Sequence, residues 1–235
     1  MFSRFLTSLA ALTIATQAHA VGIAPGETLI SLDYVASEVA DGDPNWFGTL
    51  LDTVSRSATE TRDGVVGPGP VIPGLYSVTG QIDAEVHAAT NGGMTFSYGF
   101  SAIDNSGAGN TNGVATYSVS GFAGWSVDVG WNYDALPYIP IVSRSNDGDT
   151  ISVTYFAPQD TLQAFGAPFE RILLHTTANA YGLTGSGQVD INIDSFGVTP
   201  RTLDRLPAPS AVPLPLPAAG LLGALGLLAA VRRRR

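Results

Sequence analysis

Three ionisable side chains occupy alternate positions in the run Asp83-Ala84-Glu85-Val86-His87. Alternate residues of a strand project to the same side about 7 Å apart, so as a strand this run puts Asp83, Glu85 and His87 on one face. Acids spaced in this way on a concave strand can cleave a glycosidic bond, one giving a proton to the leaving oxygen while the other attacks. The plainer reading is the solvated face of an outer strand. Ser77, Thr79 and Gln81 continue that face without an aromatic ring to stack a sugar, which favours the plainer reading. Glycoside hydrolysis by Asp83 and Glu85 stands as the alternative.

Two loops carry clustered oxygen ligands of the kind Ca²⁺ takes: Asp41, Asp43 and Asn45 in DGDPN, and Asn146, Asp147 and Asp149 in SNDGDT. Neither completes a twelve-residue EF-hand loop, and Asp-Gly is a common turn dipeptide. Both are read as turns, and no metal or other cofactor is expected. The sequence contains no nucleophile elbow, zincin helix, phosphate loop or dinucleotide fingerprint. His175, in RILLHTT, reads as a strand residue with a satisfied partner. Trp125, Trp131 and Tyr133 could form a sugar-stacking stripe, but core is the preferred reading.

The elements that must position these groups are strands. YSVTGQIDAEVHA alternates Tyr76, Val78, Ile82, Ala84 and Val86 against polar neighbours, MTFSYGFSA alternates Met94, Phe96, Tyr98 and Phe100, and WSVDVGWNY alternates Trp125 through Tyr133. Period-two alternation of β-branched and aromatic residues marks half-buried strands. Further strands are expected at 29–35, 114–119, 151–156, 171–177 and 188–196. The runs TNGG, DNSGAGNTNG, SNDGD and LTGSG are expected to be turns. Eight or so strands without helical intervals predict an all-β, antiparallel two-sheet sandwich, jelly-roll-like, over residues 21–197. One segment departs from the period: Trp46, Leu50 and Val54 stand at helical spacing behind Asp43 and Pro44, predicting a short helix. Residues 198–211 read as an extended linker.

The body between residues 21 and 211 holds six arginines against twenty acids, a formal charge of −14, and no lysine. Such a surface repels phosphate backbones, which excludes nucleic acid as an expected partner. Without cysteine there is no disulfide, thiol catalysis or Cys-bound zinc. A body of this size can bury enough surface to fold on its core alone.

Both ends carry processing signals. Arg4, the apolar run Phe5–Ala15 and Ala18-His19-Ala20 have the order of a secretory signal helix cut after Ala20. Residues 212–235 hold Val212-Pro213-Leu214-Pro215, a second Leu-Pro, an apolar stretch from Pro217 to Val231, and Arg232, Arg233, Arg234 and Arg235. As a helix that stretch reaches about 23 Å, short of a bilayer core of about 30 Å. It predicts a marginal transmembrane helix with the arginines retained in the cytoplasm and the body outside.

This three-part tail resembles the PEP-CTERM class of bacterial sorting signals, in its VPLPA variant. The resemblance implies an exosortase-type processing enzyme as partner and transient anchoring in the cytoplasmic membrane. It further implies delivery to the cell surface or extracellular matrix of a Gram-negative bacterium that makes exopolysaccharide. Val212, Pro213, Leu214 and Pro215 would be the recognition residues and Arg232–Arg235 the retention signal. The second Leu-Pro departs from the motif. The expected role is structural or adhesive, without catalysis and with exopolysaccharide as a partner.

Overall fold

The computed structural model describes residues 21–29, 39, 42–64, 74–104, 113–132, 139–156, 162–163, 169–193 and 197–210. The expected signal segment 1–20, the tail 212–235, Asp41 and Tyr133 lie outside the described residues. All regular structure among the described residues is β. One sheet runs β1 (Val21–Gly22), β7 (Val127–Asn132), β11 (Phe169–Thr176), β5 (Met94–Asp104), β4 (Gly74–Ala88), β3 (Thr49–Gly64). The other runs β13 (Val198–Pro209), β12 (Tyr181–Asn192), β6 (Gly113–Val119), β9 (Ile151–Phe156), β8 (Ile139–Arg144), β2 (Thr28–Leu29), with β10 (Leu162–Gln163) paired to β6. Every described pairing is antiparallel.

The alternation in the sequence decides which face each strand buries. Val78, Ile82, Ala84 and Val86 of β4 and Phe96, Tyr98 and Phe100 of β5 meet Val114, Tyr117, Val153, Val189 and Ile191 of the other sheet in one core. Phe100 stacks on Tyr117 across that interface with ring centroids 4.6 Å apart. Each such side chain contributes about 1.5–3 kcal/mol by leaving water. The two buried phenols find acceptors: Tyr98 donates to Pro207 O at 2.5 Å and Tyr117 to Ser101 O at 2.6 Å. Burial pushes both phenol pKa values up, which keeps them donors.

Two devices close the sides of this sandwich-like body. Along one side β3 and β13, the outer strands of the two sheets, are laced by side chains. Arg56 donates to the carbonyls of Asp204 and Arg205, and Glu60 is buried between Arg62 and Arg201. On the other side the chain passes from β1 to β2 over Arg144. That buried guanidinium donates to the carbonyls of Gly148, Ile23, Phe122 and Trp125 at 2.7–3.1 Å.

Three expectations need correction. The helix expected behind Asp43 is a single turn: Trp46 N and Phe47 N both donate to Asp43 O, and β3 begins at Thr49. Its Trp46 and Val54 are buried while Leu50 is 53 % exposed, so the three do not share a face. Residues 198–209 are not a linker but β13, paired with β12 from Val198 to Pro209 and burying Leu203, Leu206 and Ala208. Its prolines disguised it, because an edge strand tolerates residues that cannot donate to a ladder. LTGSG lies within β12 rather than in a turn; register shifts around Gly185 absorb the irregularity.

Candidate functional site

The outward face of the β1–β3 sheet gathers the ionisable groups. Strand β4 is interior in that sheet, between β3 and β5. Asp83, Glu85 and His87 therefore face side chains of three strands. In register, His87 lies opposite Thr95, which lies opposite His175, which lies opposite Asp128. The next row is Glu85, Ser97, Leu173, Gly130, and the row beyond is Asp83, Gly99, Arg171, Asn132.

The two acids are held by different partners. Both oxygens of Asp83 accept from Gln81 Nε2, at 2.9 and 2.8 Å. Glu85 Oε2 accepts from Arg171 Nη1 at 2.6 Å and lies 3.1 Å from His87 Nε2. Asp83 is thus paired along β4 with Gln81, while Glu85 is engaged by His87 on its own strand and by Arg171, which stands in the Asp83 row. Arg171 also donates to Ser97 Oγ at 3.2 Å, crossing β5 to join β11 to β4. His87 is 7 % exposed, and its Nδ1 is buried without a hydrogen-bond partner.

The turn after Asp43 builds a wall at one side. Asp43 Oδ1 accepts from Asn45 N at 2.9 Å and sets the turn. Trp46 then packs with Val39 and Leu173, its ring edge-on to His175 at 5.8 Å, while Phe47 is edge-on to His87 at 5.4 Å. Gly130 makes room: a Cβ there would come within 2.7 Å of both Trp46 Cη2 and Val39 Cγ2. We expect Gly130→Ala to displace Trp46, to lower stability by about 1–3 kcal/mol, and to red-shift tryptophan emission. Emission and melting indistinguishable from the parent would rule out this packing.

His175 adds a pH dependence. Burial lowers its pKa, with Asp128 across the strand opposing in part. A folded-state value below the unfolded one makes the neutral ring the stabilising form. That contribution is complete above the unfolded value near 6.5 and is lost as pH falls through the lower folded value. Between pH 8 and pH 5 the parent should lose more melting temperature than His175→Gln; parallel curves would contradict the assignment.

The remaining sequence candidates are structural where they are described. Asp147 Oδ1 accepts from Ser145 Oγ and Asp149 N, and these bonds hold its carboxyl below the ordinary range. Asp149 Oδ1 accepts from Gly121 N and Ala123 N, so SNDGDT closes the β8–β9 turn. Asn146 is exposed. Among the described residues no three potential metal ligands converge. Trp131 is core, with Val127 and Val129, whereas Trp125 precedes β7 and is half-buried.

Sequence reasoning found β4's face but not Arg171, Ser97, Thr95 or the Trp46–Phe47 wall. Alternation put Thr95 and Ser97 on a polar face; nothing local indicated that β11 would lie beside β5. Thr95 and Ser97 are fully buried. The face therefore presents the half-buried Asp83, Glu85, Gln81 and Arg171 beside the edge of Phe47, carboxylates, an amide and a guanidinium suited to hydrogen-bonding a polyhydroxylated ligand. Comparison of the chain with protein-family models, curated proteins and solved structures finds no match.

Proposed function

We infer that this is an exported cell-surface or matrix protein whose jelly-roll-like body associates with exopolysaccharide and whose two ends are processing segments. The observation that carries the reading is the order along the chain. A charged, apolar, small-residue signal precedes the body, and a proline motif, apolar stretch and arginine cluster follow it. Among the described residues the first paired one is Val21 and the last strand ends at Pro209. Cuts after Ala20 and near Val212–Pro215 would leave every described strand whole.

The polar outer face supports binding, and the engagement of Asp83 by Gln81 and of Glu85 by Arg171 and His87 favours binding over the alternative of glycoside hydrolysis. The jelly-roll-like topology is supported by the chain's repeated crossing between sheets. The test is the intact mass of the native protein in membrane and extracellular fractions. An extracellular species running from Val21 to the proline motif is expected. A protein found only in the membrane with Arg232–Arg235 still attached would overturn sorting. If the mature chain shortened a polysaccharide and Glu85→Gln did not, hydrolysis would replace binding.

A further inference from the structure

We propose that the seam between β3 and β13 is a binding strip for an acidic, carboxylate-bearing polysaccharide, with Arg205 at its exposed centre. Four of the body's six arginines lie on this seam: Arg56 and Arg62 on β3, Arg201 and Arg205 on β13. The other two are committed elsewhere, Arg144 in the interior and Arg171 on Glu85. Across the facing stretches 56–62 and 199–206 the only acids are Glu60 and Asp204, so the strip is net positive on a body of formal charge −14.

The arginines are not neutralised where they stand. Arg62 and Arg201 share the one buried carboxylate of Glu60 while staying 46 % and 45 % exposed. Arg56 spends its donors on the carbonyls of Ser55, Asp204 and Arg205, with no ion pair to a carboxylate among the described residues. Arg205 is exposed and, among the described residues, likewise without an ion pair.

Arg205 is also placed against local preference. It has φ 62°, the one non-glycine residue with positive φ among those described. The register of β13 against β12 steps from Asp204 to Leu206 past it, leaving it unpaired in a bulge. Glycine is the residue that takes this conformation without steric cost. A bulge turns a side chain out of the pleat, and here it sets an exposed cation at the middle of the seam.

Arg56 to Arg62 spans about 20 Å of extended strand, so the cations form a line rather than a point and suit a linear polyanion. The planar guanidinium fork matches carboxylate pairwise, and a flexible polyuronate can follow the strip. A stiff duplex would bring its phosphates against the acidic surface on either side.

This inference rests on the polysaccharide-associated reading and names its ligand class and site. The test is binding of the full chain, in nonionic detergent, to polygalacturonate, dextran and a DNA duplex. We expect binding to polygalacturonate that weakens as salt rises, with dextran and DNA bound less tightly. Arg205→Gly should lower affinity about tenfold, the loss of one charge-assisted contact. The variant should melt at or above the parent temperature, because glycine relieves the strain. That opposition separates lost contact from lost fold. Unchanged polygalacturonate affinity in Arg205→Gly, or dextran bound as tightly as polygalacturonate, would overturn the strip and leave the polysaccharide reading standing. Binding to neither polysaccharide would overturn both, and DNA bound more tightly than polygalacturonate would make nucleic acid the ligand.

Discussion

Replacing Arg144 by Met should destabilise the fold by about 4 kcal/mol or more, because hydrogen bonds from a charged donor are worth about 1.5–3 kcal/mol each and their acceptors here are buried. Arg144 is 4 % exposed and serves the carbonyls of Ile23, Phe122, Trp125 and Gly148 at once. Those four come from the segment joining β1 to β2, the loop before β7 and the β8–β9 turn. Burial lowers the pKa of the guanidinium, yet arginine remains charged at neutral pH. Methionine keeps an apolar stem of similar reach and supplies no donor, so the loss isolates the hydrogen bonds. For a domain of this size the shift should be about 10 °C in melting temperature. Lysine should recover a fraction, since one compact ammonium cannot fan out to four carbonyls. If Arg144→Met melted within a degree or two of the parent, the guanidinium would not be what ties these loops together.

A chain ending at Gly197 should fail to fold cooperatively, whereas one ending at Ser210 should melt like the longer chain. Removing β13 takes Leu203, Leu206 and Ala208 from the core and Pro207 O from the buried Tyr98 hydroxyl. It also opens the whole edge of β12 and strips Glu60 of Arg201. Two leucines at about 1.5–3 kcal/mol each and an orphaned buried hydroxyl at about 1–3 kcal/mol together rival the whole stability of a typical domain, about 5–15 kcal/mol. Circular dichroism and a thermal scan of the two chains decide the matter. Matching cooperative transitions would return residues 198–209 to the status of a linker. The boundary bears on sorting as well, since Ser210 still donates to Ala180 O and Val212 follows two residues later.

How much was legible depends on whether a strand's inward face is apolar. Strands β4, β5, β6 and β9 were readable because their core-facing apolar residues alternate with polar ones, and β11 because Ile172, Leu173 and Leu174 make an apolar run buried on both faces. Strand β3 was not. Its inward positions run Val54, Arg56, Ala58, Glu60, Arg62, and charges that face another strand's carbonyls look in sequence like charges that face water. Strand β13 was masked in the same way by Arg201 and three prolines. The turn after Asp43 was mistaken for a helix because its start signals are real, an Asx side chain followed by proline, and serve a single turn equally well.

The candidate site divides along the same line. Read from the chain alone, Asp83, Glu85 and His87 share a face, the body is acidic and free of cysteine, and strands dominate it, although the turn after Asp43 reads as a helix and β13 as a linker. Tertiary structure alone decided that β11 lies between β5 and β7, which sets Arg171 on Glu85, and that β3 meets β13, which gathers four arginines into one seam. The physical reason is that side-chain alternation fixes which face a strand buries. Every backbone, by contrast, offers a neighbour the same N–H and C=O groups. The choice of neighbour is made by packing and charge between residues more than a hundred positions apart, such as Arg56 and Asp204.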